Sequence, residues 1–472
     1  MSTLTTWREL PGPRAWPLIG NALQLKPSRI HLDIEALARK HGPAFKLRFG
    51  PERVLVITDN ALIHAAMRER PDGYMRPMRM ADIISDMKMP LGLFTAEGDR
   101  WRAQRRMVMA AFSPNHVRAF LPRLIQVAQR LEGRWLKAVA TQQVIDLQGD
   151  LMRYTVDAIS GLAFGQDTNT LERDEDVIQQ HLDRIFPMLA KRLTALVPYW
   201  RVFKLPSDRA FDRSLAHVAS AIQGFIAQAR HGLTQAPERR TSPHNLLEAM
   251  IVAADQADSS VTDEDIAGNV FIMLLAGEDT TANSLEWLLY LLHKHPHTLV
   301  TLTKEIRSRA PDLSTVTMEA LNELPYLDAC INEAMRLKPV VPFTIQQALR
   351  DTQLGPFAID KGTLVWCATR VDATSEAHFK DAPSFAPSRW LAEDAAQGKR
   401  ASLPFGSGPR ICPGRYLSLV EMKLMMVMLL NRFDALSVST PDNRDAQENM
   451  GFTMMPVGLE LVLQKRAGVP AQ

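Results

Sequence analysis

The chain has 472 residues, of which 46% are apolar and 23% are charged, and its formal net charge is +3 at pH 7. This composition is typical of a globular protein, and so weak a basic excess, without any run of five or more like charges, argues against nucleic-acid binding. Three cysteines, Cys330, Cys367 and Cys412, exclude a disulfide framework and favour a reducing compartment. Because no two of them have CxxC spacing, they also argue against a zinc site.

The first thirty residues carry several charges, among them Arg8, Arg14 and Lys26, so no apolar core of a signal peptide can form there. The longest apolar runs, at 270–277 and 424–430, are far shorter than the roughly 18 to 20 residues that span a bilayer. We therefore expect no membrane anchor and a cytoplasmic protein. The proline-rich segment 11–21 is expected to be an ordered or extended loop.

Further along, alternating apolar and charged residues on either side of Gly50-Pro51 predict a β-hairpin over 45–59. The pattern is α-rich from about 99 to 340 and again at about 414–432. It is β-rich at about 343–370, where 355–368 contains two clear strands, and at 451–464, read as a final hairpin. We find no repeats or low-complexity tract. The sequence predicts one domain over 1–472, mainly α with smaller β-sheet regions.

A long helix is predicted from Thr262, a good N-cap followed by three acids, to Pro296. Its middle, AGEDTTANS at 276–284, places acids, threonines and Gly277 where a buried helix should be most apolar. One interpretation is a polar face on a surface helix. The apolar residues on both sides favour burial instead, and buried polar groups of this kind are usually functional.

Near the C-terminus, residues 405–414 read FGSGPRICPG, which surrounds Cys412 with glycines, prolines and arginines. Together with AGEDTT, this stretch closely resembles the cytochrome P450 superfamily. The cysteine-loop motif Phe-x-x-Gly-x-Arg-x-Cys-x-Gly is met at every position. The similarity covers essentially the whole chain. The other motifs of the superfamily are present in the family's order: Pro11, Pro13, Pro17 and Gly20 in the proline hinge; Trp101 and Arg105; Ala276, Gly277, Asp279 and Thr280; Glu333 and Arg336; Phe385, Pro387, Arg389 and Trp390.

The resemblance implies a haem b buried between the long central helix and the cysteine-loop helix, with Cys412 as thiolate ligand of the iron. Gly406 and Gly414 suit the turn that points backbone N–H groups at the sulfur. The cofactor-binding residues that the resemblance implies are Cys412, Arg410, Trp101 and Arg105 toward the propionates, Phe405 and Gly406 on the sulfur side, Gly414, and Ala276 on the opposite face.

On that opposite face, the resemblance assigns to Asp279 and Thr280 the delivery of protons to dioxygen. Glu333, Arg336 and Arg389 resemble the family's structural charge triad. One departure concerns a propionate contact, since many members have an arginine where this chain has Gln346.

The implied activity is hydroxylation of an apolar small molecule, such as a fatty acid, terpenoid or steroid, with O2 and electrons from a separate redox partner. That partner would be a ferredoxin or flavodoxin with its reductase. A set of basic residues either forms its docking face or is merely solvated: Arg102, Arg106, Lys399, Arg400 and Lys423. Segments expected to line the substrate pocket contain Met75, Met78, Met80, Met87, Met89, Val340, Val341, Phe343, Ile345, Phe452, Met454 and Met455.

Two other functions stay open at this point. The first is a peroxide-driven or isomerising haem-thiolate enzyme, and the second is a non-catalytic haem sensor. Neither needs an acid next to an alcohol above the iron, so the pair Asp279-Thr280 favours the monooxygenase.

Overall fold

The computed structural model describes residues 4–165, 167–173, 181–182, 184–195, 197–393 and 395–467. Helices dominate this part of the chain, as the sequence predicts. In chain order they are α1 (Ile30–His41), α2 (Asn60–Arg68), α3 (Met78–Asp86), α4 (Gly98–Ala111), α5 (Pro114–Ala119), α6 (Leu121–Ala140), α7 (Leu147–Phe164), α8 (Ile185–Thr194), α9 (Pro206–Gln235), α10 (Leu246–Ala254), α11 (Asp263–Lys294), α12 (Pro296–Arg309), α13 (Met318–Asn322), α14 (Pro325–Leu337), α15 (Thr369–Ala373), α16 (Ala395–Ala401) and α17 (Arg415–Arg432).

The strands are short and form small sheets. They are β1 (Ala44–Phe49), β2 (Glu52–Ile57), β3 (Tyr74–Met75), β4 (Ile145–Asp146), β5 (Thr344–Ala348), β6 (Thr352–Leu354), β7 (Phe357–Ile359), β8 (Leu364–Cys367), β9 (Phe433–Ser439), β10 (Glu448–Met450), β11 (Met454–Pro456) and β12 (Glu460–Lys465). One sheet has the order β1-β2-β8-β5-β3 and another has β4-β12-β9, while β10-β11 and β6-β7 are two-stranded.

The predicted N-terminal hairpin is confirmed. Strands β1 and β2 pair antiparallel from Ala44 opposite Ile57 to Phe49 opposite Glu52. Gly50 makes the turn with a φ of +56°, a conformation that glycine adopts without strain. Strand β2 then pairs in parallel with β8, which ties the start of the chain to its last third.

The predicted strands within 355–368 and 451–464 form, but neither pair makes a hairpin. Strands β7 and β8 lie in different sheets, and β11 pairs with β10 whereas β12 pairs with β9 and β4. Between β11 and β12 the chain turns away at Gly458, which has a φ of +62°. Alternate residues of β12, such as Leu461 and Leu463, are thereby buried in the main core. The prediction of a single final hairpin is therefore wrong.

The long central helix α11 spans 32 residues and begins where the sequence predicts. Thr262 caps it by accepting a hydrogen bond from the Asp265 N–H at 3.2 Å, and the Asp265 carboxylate accepts one from the Thr262 N–H at 3.0 Å. Most of the helix is buried, including its acidic middle at Glu278 and Asp279, so the surface-helix interpretation is excluded.

The cysteine loop precedes α17, whose residues from Val420 to Asn431 are all buried. This helix packs against α6, α11 and α12, so the chain on either side of Cys412 is held by the main core. Within the residues described, no helix has both the length and the apolar character needed to cross a bilayer.

Candidate active site

A cavity of about 1430 Å³ lies between α11 and the loop that precedes α17. It brings together all eight predicted cofactor residues, which come from three separate stretches of the chain. The predicted site residues on its wall are Trp101, Arg105, Ala276, Thr280, Phe405, Gly406, Arg410, Cys412 and Gly414. Asp279 is absent from the wall, although it is next to Thr280 in sequence.

The cysteine loop owes its shape to backbone contacts and to glycine. The Cys412 N–H donates a hydrogen bond to the Phe405 carbonyl at 3.0 Å, which closes the loop. Gly406 and Gly408 have φ values of +72° and +71°. At Gly408 a Cβ atom would lie 2.6 Å from the Met67 carbonyl oxygen, so this position requires glycine for space as well as for conformation.

The Cys412 side chain is exposed to the open space of the cavity and is otherwise surrounded by protein atoms. Burial raises the pKa of its thiol, while the N–H groups of Gly414 and Arg415 and the Arg105 and Arg415 charges act in the opposite direction. The N-terminal end of α17 begins directly after the loop, at Arg415. A metal ion bound to this sulfur would supply the remaining positive charge and keep it as thiolate. The site therefore suits a thiolate-ligated metal.

Four arginines cluster on the cavity wall, and sequence analysis found only two of them. Arg410 and Arg105 were predicted; Arg70 and Arg76, from the segment before α3, were not. The Arg410 guanidinium lies over the Trp101 ring at 4.8 Å and donates a hydrogen bond to the Ala96 carbonyl at 2.8 Å.

One acid, Glu97, is ion-paired with this cluster. Burial and the neighbouring Arg70 lower the pKa of Arg410 to about 10, and burial with repulsion from Arg70 and Arg410 lowers that of Arg76. Nε and Nη2 of Arg70 and Nε and Nη1 of Arg410 have no hydrogen-bond partner among the described residues. Buried, unsatisfied guanidinium donors of this kind fit the two carboxylates of a haem.

The arginine cluster also provides positive charge that the missing arginine at position 346, occupied here by Gln346, would otherwise supply. Gln346 is buried in β5 and donates a weak hydrogen bond to the Cys367 sulfur at 3.6 Å, and it is not on the cavity wall. Arg70 and Arg76 place positive charge on the wall instead. No fixed spacing relative to a motif marks these two residues, which is why the sequence did not reveal them.

On the opposite wall, Asp279 and Thr280 point in different directions. The Thr280 hydroxyl borders the cavity and donates to the Ala276 carbonyl at 2.8 Å. The Asp279 carboxylate accepts hydrogen bonds from the Thr453 hydroxyl and from the Asn283 amide, the latter at 3.0 Å. Burial raises the pKa of Asp279, and these two hydrogen bonds oppose the rise. Among the described residues, Thr453 is the hydrogen-bond partner of Asp279 that lines the cavity.

Gly277 has a structural explanation. A Cβ at this position would lie 3.1 Å from Cγ1 of Ile159 on α7, so glycine allows α7 and α11 to pack closely.

A second carboxyl group, which sequence analysis missed, lies on the cavity wall itself. Glu421 of α17 is buried and is hydrogen-bonded to Thr281, and the Thr281 and Ser418 hydroxyl oxygens lie 3.1 Å apart, within hydrogen-bond distance. Burial raises the pKa of Glu421 to about 8, and the Thr281 hydrogen bond opposes that rise.

Most of the remaining wall is apolar. Of the predicted pocket residues, the cavity is lined by Met80, Met89, Val340, Val341, Phe343, Ile345 and Phe452. Met75, Met78, Met87, Met454 and Met455 do not line it: Met87 and Met454 are core residues, and Met78 is exposed on α3. Helix α8 adds residues that were not predicted, including Phe186 and Leu189.

The loop that carries Met89, Leu93 and Phe94 is fixed to α11. A Cβ on Gly268 would lie 2.1 Å from the Leu91 carbonyl oxygen, and one on Gly92 would lie 2.5 Å from the Gly268 carbonyl oxygen. The Leu93 N–H also donates to the Asn269 side chain at 3.0 Å. The loop and the central helix therefore touch backbone to backbone.

The charge triad is confirmed as a buried unit. Arg336 forms two hydrogen bonds of 2.8 Å to the Glu333 carboxylate, and Arg389 forms one of 2.9 Å. Burial alone would raise the pKa of Glu333, but Arg336 and its other donors hold it below the usual value. The Arg336 guanidinium also binds the carbonyls of Ala373 and Ala382. None of the three residues lines the cavity.

One of the five basic residues predicted for a docking face, Lys423, does not lie on the surface. Lys423 is buried, and its ammonium group binds the Leu321 carbonyl at 2.9 Å and the Asp328 carboxylate at 2.8 Å. Arg102 is exposed but is paired with Asp72 and Asp99. Arg106, Lys399 and Arg400 are exposed.

The profile of the family described as Cytochrome P450 matches residues 10–463 of the chain. The protein belongs to the cytochrome P450 family. It is therefore a haem-thiolate monooxygenase by family, which binds haem iron and uses dioxygen with electrons from a redox partner.

Known cytochromes P450 resemble this one over most of its length. A thromboxane-A synthase of Rattus norvegicus is 26% identical over 463 residues, covering 89% of this chain and 85% of its own. A self-sufficient cytochrome P450 monooxygenase of Oidiodendron maius is 28% identical over 92% of this chain, which spans 40% of that longer protein. The crystal structure of the cytochrome P450DA heme domain matches with a TM-score of 0.83 and 25% identity over 98% of both chains.

Proposed function

We propose that this cytochrome P450 inserts one oxygen atom from O2 into a C–H bond of an apolar small molecule of fatty-acid, terpenoid or steroid size. The observation that carries the proposal is the cavity itself, which joins the Cys412 sulfur, a hydroxyl-bearing stretch of α11 and a largely apolar wall. Such a wall binds apolar ligands, while a few polar groups fix the reacting atoms.

Within this proposal, the bound cofactor is haem b, whose thiolate ligation favours cleavage of the O–O bond of dioxygen. Cys412 is the iron ligand, and Gly406 and Gly414 shape the loop around its sulfur. Arg410 and Arg105, with Trp101 and the added Arg70 and Arg76, hold the propionates. Phe405 covers the sulfur side, and Ala276 borders the opposite face.

Protons reach that face from Asp279 and Thr280 in the same proposal. Thr280 is on the cavity wall. Asp279 is hydrogen-bonded to Thr453, which also lines the cavity. Glu421, hydrogen-bonded to Thr281, is a further acid on the wall.

The electron donor proposed is a ferredoxin or flavodoxin with its reductase, binding on a face that includes Arg106, Lys399 and Arg400. The self-sufficient relative is a longer protein, so a donor on the same chain is the alternative arrangement. A cytoplasmic location stays a prediction.

The test is the absorption spectrum of the reduced, carbon-monoxide-treated protein, for the wild type and Cys412→Ser. A Soret band at the thiolate position that is lost in the variant supports the assignment of Cys412. A histidine-type band in the wild type rules out the proposed mechanism. Turnover with and without an electron donor then separates a monooxygenase from a peroxide-driven or isomerising enzyme and from a haem sensor.

A further inference from the structure

Glu286 is an unusual residue in the core of this protein. It lies on α11 with 0% of its surface exposed, and neither oxygen of its carboxyl group has a hydrogen-bond partner among the described residues. A buried ionised carboxylate without partners is very costly, so such a group takes up a proton instead. Burial, followed by the nearby charges of Asp146 and Asp279, raises the pKa of Glu286 well above its usual value.

The position of Glu286 on the helix connects it to the acid of the active site. Asp279, Asn283 and Glu286 are spaced by four and three residues, so they lie on one face of α11. Asp279 and Glu286 are separated by about 10 Å along the helix axis. Asn283 lies between them, where its amide nitrogen donates to Asp279 at 3.0 Å and to the Thr453 hydroxyl at 3.1 Å.

Asn283 also has a free acceptor. Its Oδ1 atom is buried and has no hydrogen-bond partner among the described residues, one turn from the equally unpartnered Glu286 carboxyl group. A protonated Glu286 can donate toward this acceptor directly or through a buried water, which needs polar partners of this kind. Polar groups therefore follow one another from Glu286 through Asn283, both on α11, to Thr453, which lines the cavity.

At its other end, this series of polar groups approaches the surface at Asp146. This residue is exposed, in strand β4 at the start of α7, and its charge acts on Glu286. The acids Asp146, Glu286 and Asp279 therefore form a series from solvent to the carboxylate that binds Thr453.

We propose that Glu286 is the buried proton reservoir that recharges Asp279, and that its protons enter from solvent past Asp146. The inference rests on the proposed function, in which Asp279 supplies protons during oxygen activation. Glu286 is a positioning and relay residue in this scheme, since it touches neither substrate nor cofactor.

The proton count balances. A monooxygenase turnover consumes one substrate R–H, one O2, two electrons and two protons, and releases one R–OH and one water. When Asp279 has given up its proton, the O–H bond of Glu286 breaks and the proton passes through a bridging water at Asn283 to the Asp279 carboxylate. Glu286 then takes a proton from solvent. The relay itself involves no change of oxidation state.

The first experiment is infrared spectroscopy of the loaded enzyme, which does not depend on activity. We expect a protonated-carboxyl stretch in the wild type that persists at pH 8, shifts in D2O and is absent from Glu286→Gln. Asp146→Asn should retain the band but slow its shift in D2O. If the wild type and Glu286→Gln have the same carboxyl bands, Glu286 is ionised and the proposal is wrong.

The second experiment measures oxygen consumption with electrons from photoreduced flavin mononucleotide. Glu286→Gln should reduce the rate by about tenfold or more and enlarge the solvent isotope effect, since general acids contribute roughly 10²-fold or more. Peroxidase activity with hydrogen peroxide, an oxidant that brings its own protons, should stay at the wild-type level. The matched control is Asp157→Asn, a buried acid on α7 bonded to Thr168 and Thr170, and it should leave both rates unchanged.

The outcomes distinguish a failure of the Glu286 relay from a failure of the proposed monooxygenase function. A wild-type rate in Glu286→Gln, or equal losses with oxygen and with peroxide, contradicts the relay while the thiolate spectrum still supports the monooxygenase. Absence of the thiolate band contradicts the proposed function, whatever the infrared spectrum shows.

Discussion

Phe186 and Phe452 stack on each other inside the cavity, with ring centroids 4.7 Å apart and ring planes 17° from parallel. Phe452 also contacts Phe94 edge-on at 5.9 Å, and the Arg76 guanidinium lies over the Phe94 ring at 3.4 Å. Three segments that are remote in sequence, α8, the β10–β11 turn and the loop after α3, are therefore joined by aromatic contacts across the cavity. These contacts limit the width of the ligands that fit.

Phe452→Ala should widen the cavity at this point. We expect bulky imidazole ligands to bind about tenfold more tightly, since the stacked ring no longer has to be displaced, while unsubstituted imidazole binds as before. Optical titration of a graded series of phenyl- and biphenyl-imidazoles measures the dissociation constants. Phe203→Ala, which removes an exposed ring that does not line the cavity, is the control. Equal affinities in the two variants would mean that the aromatic contacts do not limit access.

Arg70→Gln should weaken retention of haem. The Arg70 side chain is buried, with two donors that have no hydrogen-bond partner among the described residues, and haem carboxylates would accept hydrogen bonds from them. We expect haem transfer to an excess of apomyoglobin to be about tenfold faster than in the wild type. Arg102→Gln removes an exposed arginine that is paired with Asp72 and Asp99, so its transfer rate should stay unchanged. An unaltered rate in Arg70→Gln would remove this residue from the cofactor site.

Glu333→Gln should be severely destabilising. It leaves the Arg336 guanidinium, which is fully buried, and that of Arg389 without their anion, a loss of about 3–5 kcal/mol in comparable buried pairs. The midpoint of urea unfolding, measured at equal haem loading, reports the change. The control is Glu319→Gln, which breaks an exposed pair with Arg118 and should leave the midpoint nearly unchanged. Similar midpoints for both variants would contradict a structural role of the triad.

Gly408→Ala should disturb the cysteine loop. The new Cβ would contact the Met67 carbonyl oxygen at 2.6 Å in a left-handed conformation, at a cost of about 1–3 kcal/mol. We expect a lower unfolding midpoint and a partial loss of the thiolate-type carbon-monoxide band. Gly133→Ala lies in α6 with open space around it and should stabilise the protein by about 0.5–1 kcal/mol. A full thiolate band in Gly408→Ala would show that the loop relaxes without moving the sulfur.

Glu421 should make stability depend on pH. Its pKa in the folded protein is raised to about 8, so the stability gained from its neutral form is complete below the ordinary pKa of a glutamate and is lost as the pH rises toward 8. Glu421→Gln should therefore unfold at a higher temperature than the wild type at pH 8.5, and the difference should shrink at pH 5. Thermal unfolding at the two pH values measures it. A difference that does not change with pH would mean that Glu421 titrates normally.

The sequence was sufficient for features that depend on local spacing. The cysteine loop, α11 with its Thr262 cap and the β1–β2 hairpin all follow from residues that are close together in the chain. The triad also needs a partner from another segment, Arg389, and its prediction depended on family resemblance. The partners of β11 and β12 were predicted wrongly, because strand partners depend on which faces become buried against distant elements.

The missed site residues have a common physical explanation. Arg70, Arg76, Phe186 and Glu421 belong to elements that reach the cavity only after the whole chain has folded. An arginine or a glutamate at such a position is indistinguishable in sequence from an ordinary surface charge. Burial marks Arg70 and Glu421, and Arg70 also has unsatisfied donors; both are properties of the tertiary structure.

Gly92 and Gly268 have a consequence for attempts to change the ligand preference. The loop before α4 and the central helix meet without side chains between them. On this side of the cavity, therefore, a change of side-chain size cannot alter the space for a ligand. Substitution here would move the helix that carries Ala276 and Thr280, and activity would be lost before selectivity changed. Laboratory evolution should therefore find its productive substitutions on α8 and the β10–β11 turn, and leave these two glycines unaltered.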